Sequence, residues 1–399
     1  MDKNLFERRM IRQLFIIIAF LALLPFEARG RETTLNILYT GAMNGELEPC
    51  GCSPKTDFGG LARISGYILR NRTDLYPYIL IDAGNFSDRD SEQGRLKAEA
   101  VINSFTTMKY DAVAFMKNEK SFSDDFFASL IQRYAVPFVS DAFPCKRSVS
   151  IIRRPLEVQI SSGSDDFEKE KLNILVTDKA AADFKTAEGW DVIISSSGEI
   201  MEEPVNVDGA LFVSGYPRGK SLGILTLDVN EEGKVTRFSH RFAALGTDIQ
   251  EDEIVRKILD DYDLKVAALL KNAERPPAGT TYLGVSKCAE CHEPYVESWT
   301  TTKHATAFAS LKDVEKAGDP ECIVCHAVGF GEKGGFYTID TTPELANVQC
   351  EECHGLVTEH LNDFEKPMRP VTVQVCLKCH TKDNSPDFNY EVYLKKVMH

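Results

Sequence analysis

The chain has 399 residues, far more than the ~150 of an average domain, so two domains are the starting expectation. It is 43% hydrophobic and 27% charged, which excludes wholesale disorder. Its 46 basic and 60 acidic side chains leave a formal charge of −14, which excludes a nucleic-acid binder built on a basic face. The cysteines and histidines are placed unevenly. Three of eleven cysteines (Cys50, Cys52, Cys145) and one of eight histidines (His240) precede residue 281. The other eight cysteines and seven histidines crowd into the last 119 residues, so composition alone separates a body from a small tail.

The first thirty residues have three parts: Arg8, Arg9 and Arg12, then the apolar run Leu14–Phe26, then the small residues Ala28 and Gly30. That layout predicts a secretory signal peptide over 1–30, with an uncleaved anchor as the alternative. The apolar run is 13 residues, short for ~30 Å of hydrocarbon. No later stretch is long enough to span, so the mature chain is expected to have no stable membrane insertion. Export implies a periplasmic or otherwise oxidising setting in which disulfides are permitted.

From residue 31 to about 248 short apolar runs alternate with helical patterns. Leu35–Tyr39, Tyr78–Ala83, Asp111–Phe115, Val136–Ser140, Leu172–Thr177 and Asp191–Ser195 read as buried strands. Leu61, Ile64, Ile68 and Leu69 recur at helical spacing, as do Phe126, Phe127, Leu130 and Ile131 behind an N-cap at Ser123. Three later runs, Ala210–Val213, Leu222–Val229 and Val235–Phe242, follow without helices between them. This order predicts an α/β sheet sandwich. Ile254–Leu270 reads as a helix, and Arg275-Pro276-Pro277 as a stiff break that makes 249–280 a helix and linker.

Asn36–Leu47, Gly59–Arg63, Ile81–Asn85, Asp111–Glu119, Asp191–Ile194 and Leu211–Leu227 carry a resemblance. In this order they resemble the motifs of the secreted 5′-nucleotidase-type, calcineurin-like metallophosphatases. The resemblance implies that fold, and a two-metal cage of Asp, His and Asn. At the matching positions this chain has Ala42, Asn44, Asn85, Lys117, Asn118 and Ser197. Neutral amides and a lysine do not replace anionic and imidazole ligands. The body is therefore expected to be a metallophosphatase-like domain that has lost its metals, with phosphohydrolase activity as the rival reading.

Cys50-Gly51-Cys52 is a tight pair that either binds a metal, cycles as a redox couple, or supplies one partner for Cys145. In an oxidising compartment the last is the expectation: one of the two bridges to Cys145 and the other is spare.

The tail, residues 281–399, repeats one motif four times: Cys288-Ala-Glu-Cys291-His292, Cys322-Ile-Val-Cys325-His326, Cys350-Glu-Glu-Cys353-His354 and Cys376-Leu-Lys-Cys379-His380. C-x-x-C-H places two thiols about one helical turn apart, ready to form thioethers to one haem, with the next imidazole as proximal iron ligand. A pair of zinc ribbons would also use four CxxC pairs, but zinc does not ask for His after every second Cys. Four covalently attached haem c groups are thus expected. With only about thirty residues for each, the macrocycles themselves must form much of the core.

Three histidines remain as candidate distal ligands: His304, His360 and His399. Four irons and three imidazoles leave one short. The missing ligand is His240, a methionine such as Met368 or Met398, or nothing. Ser298–Phe308, which contains His304, reads as a helix.

Lys303-His304-Ala305, the stretch from Cys325-His326 to Phe336, and Val348–Gly355 with His360 resemble the tetrahaem cytochromes of the c-554 type. That resemblance implies a small, mainly α, haem-packed fold, a periplasmic electron-transfer role, and an open iron face at the second haem, the one with His326. The tail carries 11 basic and 18 acidic side chains, a net of −7 before haem. A redox partner with a basic surface would complement it. The expected function is electron transfer through four haems, with the body as scaffold or docking surface. The rivals are a redox enzyme acting on a small nitrogen species at an open haem, and a hydrolase with a redox-sensing tail.

Overall fold

The computed structural model describes residues 32–141, 145–273 and 281–399. The expected signal peptide and the Arg275-Pro276-Pro277 break lie outside the described residues.

Twelve strands are described: β1 (Thr33–Thr40), β2 (Tyr78–Asp82), β3 (Ala112–Ala114), β4 (Phe138–Val139), β5 (Ser148–Arg153), β6 (Leu156–Ser161), β7 (Leu172–Thr177), β8 (Val192–Ser195), β9 (Val205–Val207), β10 (Ala210–Ser214), β11 (Ser221–Val229) and β12 (Val235–Ala244). They form two six-stranded mixed sheets, ordered β12-β11-β1-β2-β3-β4 and β5-β6-β7-β8-β10-β9. Alternation along β1 and β2 shows why the sheets stack. Leu35, Ile37, Tyr39, Ile79 and Ile81 point into the layer between the sheets, against Val158, Ile174 and Ile194. Leu38 and Leu80 point the other way, into the helices.

Those helices are α1 (Leu61–Arg70), α2 (Glu92–Met108), α3 (Asp124–Arg133) and α4 (Glu253–Asn272). Helix α4 buries Val255, Leu259, Tyr262 and Val266 on the body, and Leu270 near its end packs against the tail's apolar cluster. The α/β sandwich expected from the strand order is what forms.

Among the body's strands and longer helices, β5, β6, β9 and α2 were not anticipated. The β5–β6 pair turns at Arg153-Arg154-Pro155, and its sandwich-facing apolar residues are interrupted by Gln159 and Ser161. Helix α2 begins at Ser91, whose side chain accepts from Gly94 N at 2.9 Å. Its buried face mixes Gly94, Lys97, Ala98, Ala100 and Ser104 with Val101, Ile102 and Phe105, so its hydrophobic periodicity is weak. Leu69 is exposed, despite its place in the α1 pattern. Ser123 does precede α3, but its side chain makes no capping bond.

The cysteine pairing differs from expectation. Cys50 and Cys52 are disulfide-bonded to each other, with Cα atoms 5.3 Å apart. Cys145 is a free thiol, half-buried against the helix-side core, and burial pushes its pKa up to about 11. The reason is position. The Cys50–Cys52 loop leads into Gly59 and Gly60, which bond to Leu245 O and Gly219 O beside β11 and β12. Cys145 follows β4, at the opposite edge of the same sheet.

The tail contains α5 (Val285–Thr300), α6 (Ala307–Asp313) and five short helices, α7 (Pro320–Ile323), α8 (Cys350–His354), α9 (Thr358–Asn362), α10 (Val373–Leu377) and α11 (Tyr390–Leu394). Ser298–Phe308 is not one helix. It comprises the end of α5, a 3-10 turn at Lys303–Thr306, and the start of α6. Among the described residues no helix is long and apolar enough to cross a membrane.

Candidate haem-binding site

Each C-x-x-C-H motif lies in a helix or runs on from the end of one. Cys288, Cys291 and His292 lie in α5. His292 leaves helical geometry (φ −121°, ψ 35°), and Pro294 follows two residues later. Proline has no N–H to bond to the carbonyl four residues back, so the helix breaks there and His292 swings out of register. Asp319 caps α7 by accepting from Glu321 N at 2.9 Å, and α7 leads directly into Cys322, Cys325 and His326. Helix α8 carries the third motif and stops at Gly355, whose φ of 79° suits glycine. The fourth motif spans the end of α10, where the Phe388 ring lies 4.9 Å from that of His380 and nearly parallel to it.

The tertiary structure pairs the histidines. Ring centres are 6.3 Å apart for His292 and His360, 6.1 Å for His304 and His380, and 6.0 Å for His354 and His399. An iron between two imidazoles needs about 2 Å for each metal–nitrogen bond and about 1.2 Å from nitrogen to ring centre, or about 6.4 Å in all. The three pairs therefore fit the space of an axially ligated haem iron. Each joins one motif histidine to one of His304, His360 and His399. The fourth motif histidine, His326, has no imidazole facing it among the described residues.

Protonation states agree with ligation. His326 Nδ1 is 2.6 Å from Ala307 O, His360 Nδ1 is 2.9 Å from Lys366 O, and His399 Nδ1 is 3.1 Å from Val397 O. A carbonyl only accepts, so in each ring Nδ1 carries the hydrogen and Nε2 is the nitrogen left to face a metal. Burial holds the pKa values of His304, His354 and His380 below the usual histidine range, with His380 adding repulsion at His304. Burial thus favours the neutral ring, the form that an iron ligand needs. Burial also raises the Cys322 thiol to about 12 and the Cys353 thiol to about 11.

Backbone bonds tie the sites into one cluster. Val348 N donates to His304 O and Asn347 N to His326 O, both at 3.1 Å. Trp299 Nε1 donates to Val348 O at 2.9 Å. Glu351, 2% exposed, accepts from Leu283 N and Gly284 N at 2.8 and 2.9 Å, joining the third motif to the start of the first. The motif pattern marks the candidate proximal ligands, but the partnering carbonyls and Glu351 carry no signal in the sequence.

The other candidate ligand, His240, is engaged elsewhere. On β12 its Nε2 is 2.7 Å from Tyr39 Oη and its Nδ1 is 2.9 Å from Glu202 O.

In the body, the positions matched to the metal cage lie where β1, β2, β3 and β8 end. Ala42, Asn44 and Asn85 hold left-handed φ values of 52–54°. Asn118 donates through its side chain to Asn44 Oδ1 at 2.9 Å and through its backbone N–H to Asn85 Oδ1 at 3.0 Å. Asn85 Nδ2 in turn donates to Ser196 O at 3.1 Å. Amides thus bond to amides where ligands would converge. Two buried carboxylates stand behind them. Glu119 accepts from Asn85 N, Ser87 N, Ser87 Oγ and Met116 N. Asp82 accepts from Thr40 Oγ1 at 2.6 Å and Gly84 N at 2.9 Å. Among the described residues no group of three or more His, Cys, Asp or Glu is placed to share a metal ion.

The two parts of the chain resemble different proteins. The body has the metallophosphatase fold: it superposes on the 5′-nucleotidase precursor of Thermus thermophilus with a TM-score of 0.51 and 17% identity, covering 63% of this chain and 62% of that one. The calcineurin-like phosphoesterase YfkN of Bacillus subtilis also aligns, at 15% identity and a TM-score of 0.47, over 59% of this chain and 98% of that one. In the tail, residues 287–355 match the family model for cytochrome c554 and c-prime. The tail is also 36% identical over 127 residues to cytochrome c-554 of Nitrosomonas europaea, covering 28% of this chain. The match spans 54% of that cytochrome, about half its length. The C-terminal part is thus similar to cytochrome c-554, a likeness that points to covalently bound haem c.

Proposed function

We propose that the chain is an exported, periplasmic tetrahaem cytochrome that transfers electrons, with the body as a metal-free scaffold or docking surface. Haem supplies a one-electron iron couple. The chain supplies thioether anchors at the eight motif cysteines, and proximal ligands at His292, His326, His354 and His380. The distal ligands are His360 opposite His292, His304 opposite His380, and His399 opposite His354. The observation that carries this reading is the set of three imidazole pairs at 6.0–6.3 Å. Electron paramagnetic resonance of the oxidised protein tests it, together with a pyridine haemochrome count. Four haems are expected, three low-spin and bis-histidine, and one high-spin or differently ligated. Any other haem count overturns the assignment.

A second reading is favoured by one observation: His326 faces no second imidazole among the described residues. An iron held there would keep an open face, and a small nitrogen species could react at it. Binding of nitric oxide or cyanide to one haem in four supports this reading; no binding removes it. Hydrolysis is the weakest rival, since Ala42, Asn44, Asn85 and Asn118 offer no anionic or imidazole donor. Nucleotides should not be turned over with Mn²⁺ or Zn²⁺, and chelator-sensitive turnover would restore the hydrolase.

A further inference from the structure

The Cys50–Cys52 bridge has little structural use. It closes a ring of only three residues, whereas a disulfide stabilises a fold mainly by closing long loops. Both cysteines are exposed, and exposed bridges are the labile and catalytic ones. Gly51 between them has φ of 68°, and a Cβ there would meet nothing within 4 Å, so the bridge stands open to solvent.

The same loop is where the body grips the fourth motif. Lys55 Nζ lies 2.8 Å from Asp387. Lys220, whose ammonium sits 5.5 Å from the Phe58 ring centre, lies 2.7 Å from Asp383, which Arg218 also contacts. Cys50, Phe58, Arg218, Lys220 and Asp383 line one narrow cleft. Asp383 is three residues from His380, a separation of at most about 11 Å along the chain. The Phe388 ring, one residue beyond Asp387, stacks on His380.

We propose that Cys50–Cys52 is a redox-active disulfide that exchanges two electrons with the haem held by His380 and serves disulfide or dithiol substrates by thiol–disulfide exchange. Two electrons, delivered one at a time through the haems, and two protons from water break the S–S bond and leave two thiols. One thiolate then attacks a substrate disulfide. The second resolves the mixed disulfide, which restores the bridge and releases two substrate thiols. Dithiol substrates run the sequence backwards and return two electrons to the haems.

This inference rests on the haem reading, so the haemochrome count is made first, and a haem-free protein overturns both. In the haem-loaded full chain, coulometric reduction is expected to take two more electrons than in C50S/C52S, whose haem spectrum is unchanged. Iodoacetamide should add two groups, at Cys50 and Cys52, only after haem reduction, as read by peptide mass. Asp383→Asn, which loosens the cleft without touching an iron ligand, should slow that alkylation several-fold. Oxidised glutathione should reoxidise the haems at least tenfold faster in the wild type than in C50S/C52S. Equal electron counts, a bridge that resists alkylation while the haems are reduced, an unchanged rate in Asp383→Asn, or equal reoxidation rates would each overturn the proposal.

Discussion

The body and the tail reach order by different means. The body buries apolar side chains between its two sheets and on the outer face of each, with fully buried Tyr39, Phe86, Phe105, Phe115, Phe127 and Phe212. The tail has one small cluster, Phe308, Leu311, Ile323, Ala327, Val328, Phe336, Leu345 and Ala346, built around the second motif. Its α5, α9, α10 and α11 bury no residue. Apolar burial is the main driving force of folding, so elements with no buried side chain need another partner. On the haem reading proposed above, that partner is the macrocycle. The body's fold would then be a property of its chain, and the tail's a property of chain plus cofactor.

The largest break in that contrast should come from haem attachment. Cys353→Ala is expected to lose one haem and to loosen the tail, while the body keeps its cooperative unfolding. Intact mass with haemochrome analysis reads the first effect, and tail-specific proteolysis the second. A variant retaining every haem would refute the attachment role of Cys353.

The converse cut is Phe212→Ala, a fully buried position on the outer face of the second sheet. A cavity of this kind costs about 3–5 kcal/mol. Chemical denaturation should show the body melting earlier, with the haem absorption spectrum of the native protein unchanged. A matching loss of haem ligation would show that the two regions fold as one.

A pH experiment sharpens the comparison further. Burial raises Asp82 to about 7, so the folded state holds a proton that the unfolded chain, near 3.8, releases. The contribution of Asp82 is therefore present in full below pH 4 and is lost as pH rises through 7. The fall amounts to roughly 4 kcal/mol at most. Asp82→Asn should flatten body stability between pH 4 and 7 and leave the tail's pH response alone. An unchanged slope would mean that Asp82 is already charged in the fold.

The smallest effect lies at the seam. Lys97 is nearly buried on α2 and its ammonium is 2.6 Å from Glu321, beside Cys322. Glu321 is half exposed, so solvent screens the pair and the coupling should be about 1 kcal/mol or less. A double-mutant cycle with Lys97→Met and Glu321→Gln measures it, and a near-zero coupling would leave the seam to packing and the Asp383 contacts.

Much of this molecule was readable before any coordinates. Nine of the twelve strands between Leu35 and Phe242 followed from apolar runs, because a strand covered on both faces must be apolar throughout. The proposed thioether and proximal positions were read from C-x-x-C-H, since covalent chemistry would impose its spacing locally. The amides at Asn44, Asn85 and Asn118 were visible as residues out of place for a metal cage. Helix α2 was hidden because its buried face is built largely from small and polar residues. Only tertiary structure could decide which imidazole meets which. His304 and His380 are 76 residues apart in the chain, and nothing in the spacing of either specifies a partner. The same holds for Cys50 and Cys52, one of which was expected to bridge to Cys145 and which the fold instead joins to each other. Residue types and local periods are written along the chain, whereas ligand pairs and disulfide partners are distances in space, set when sheets and helices pack.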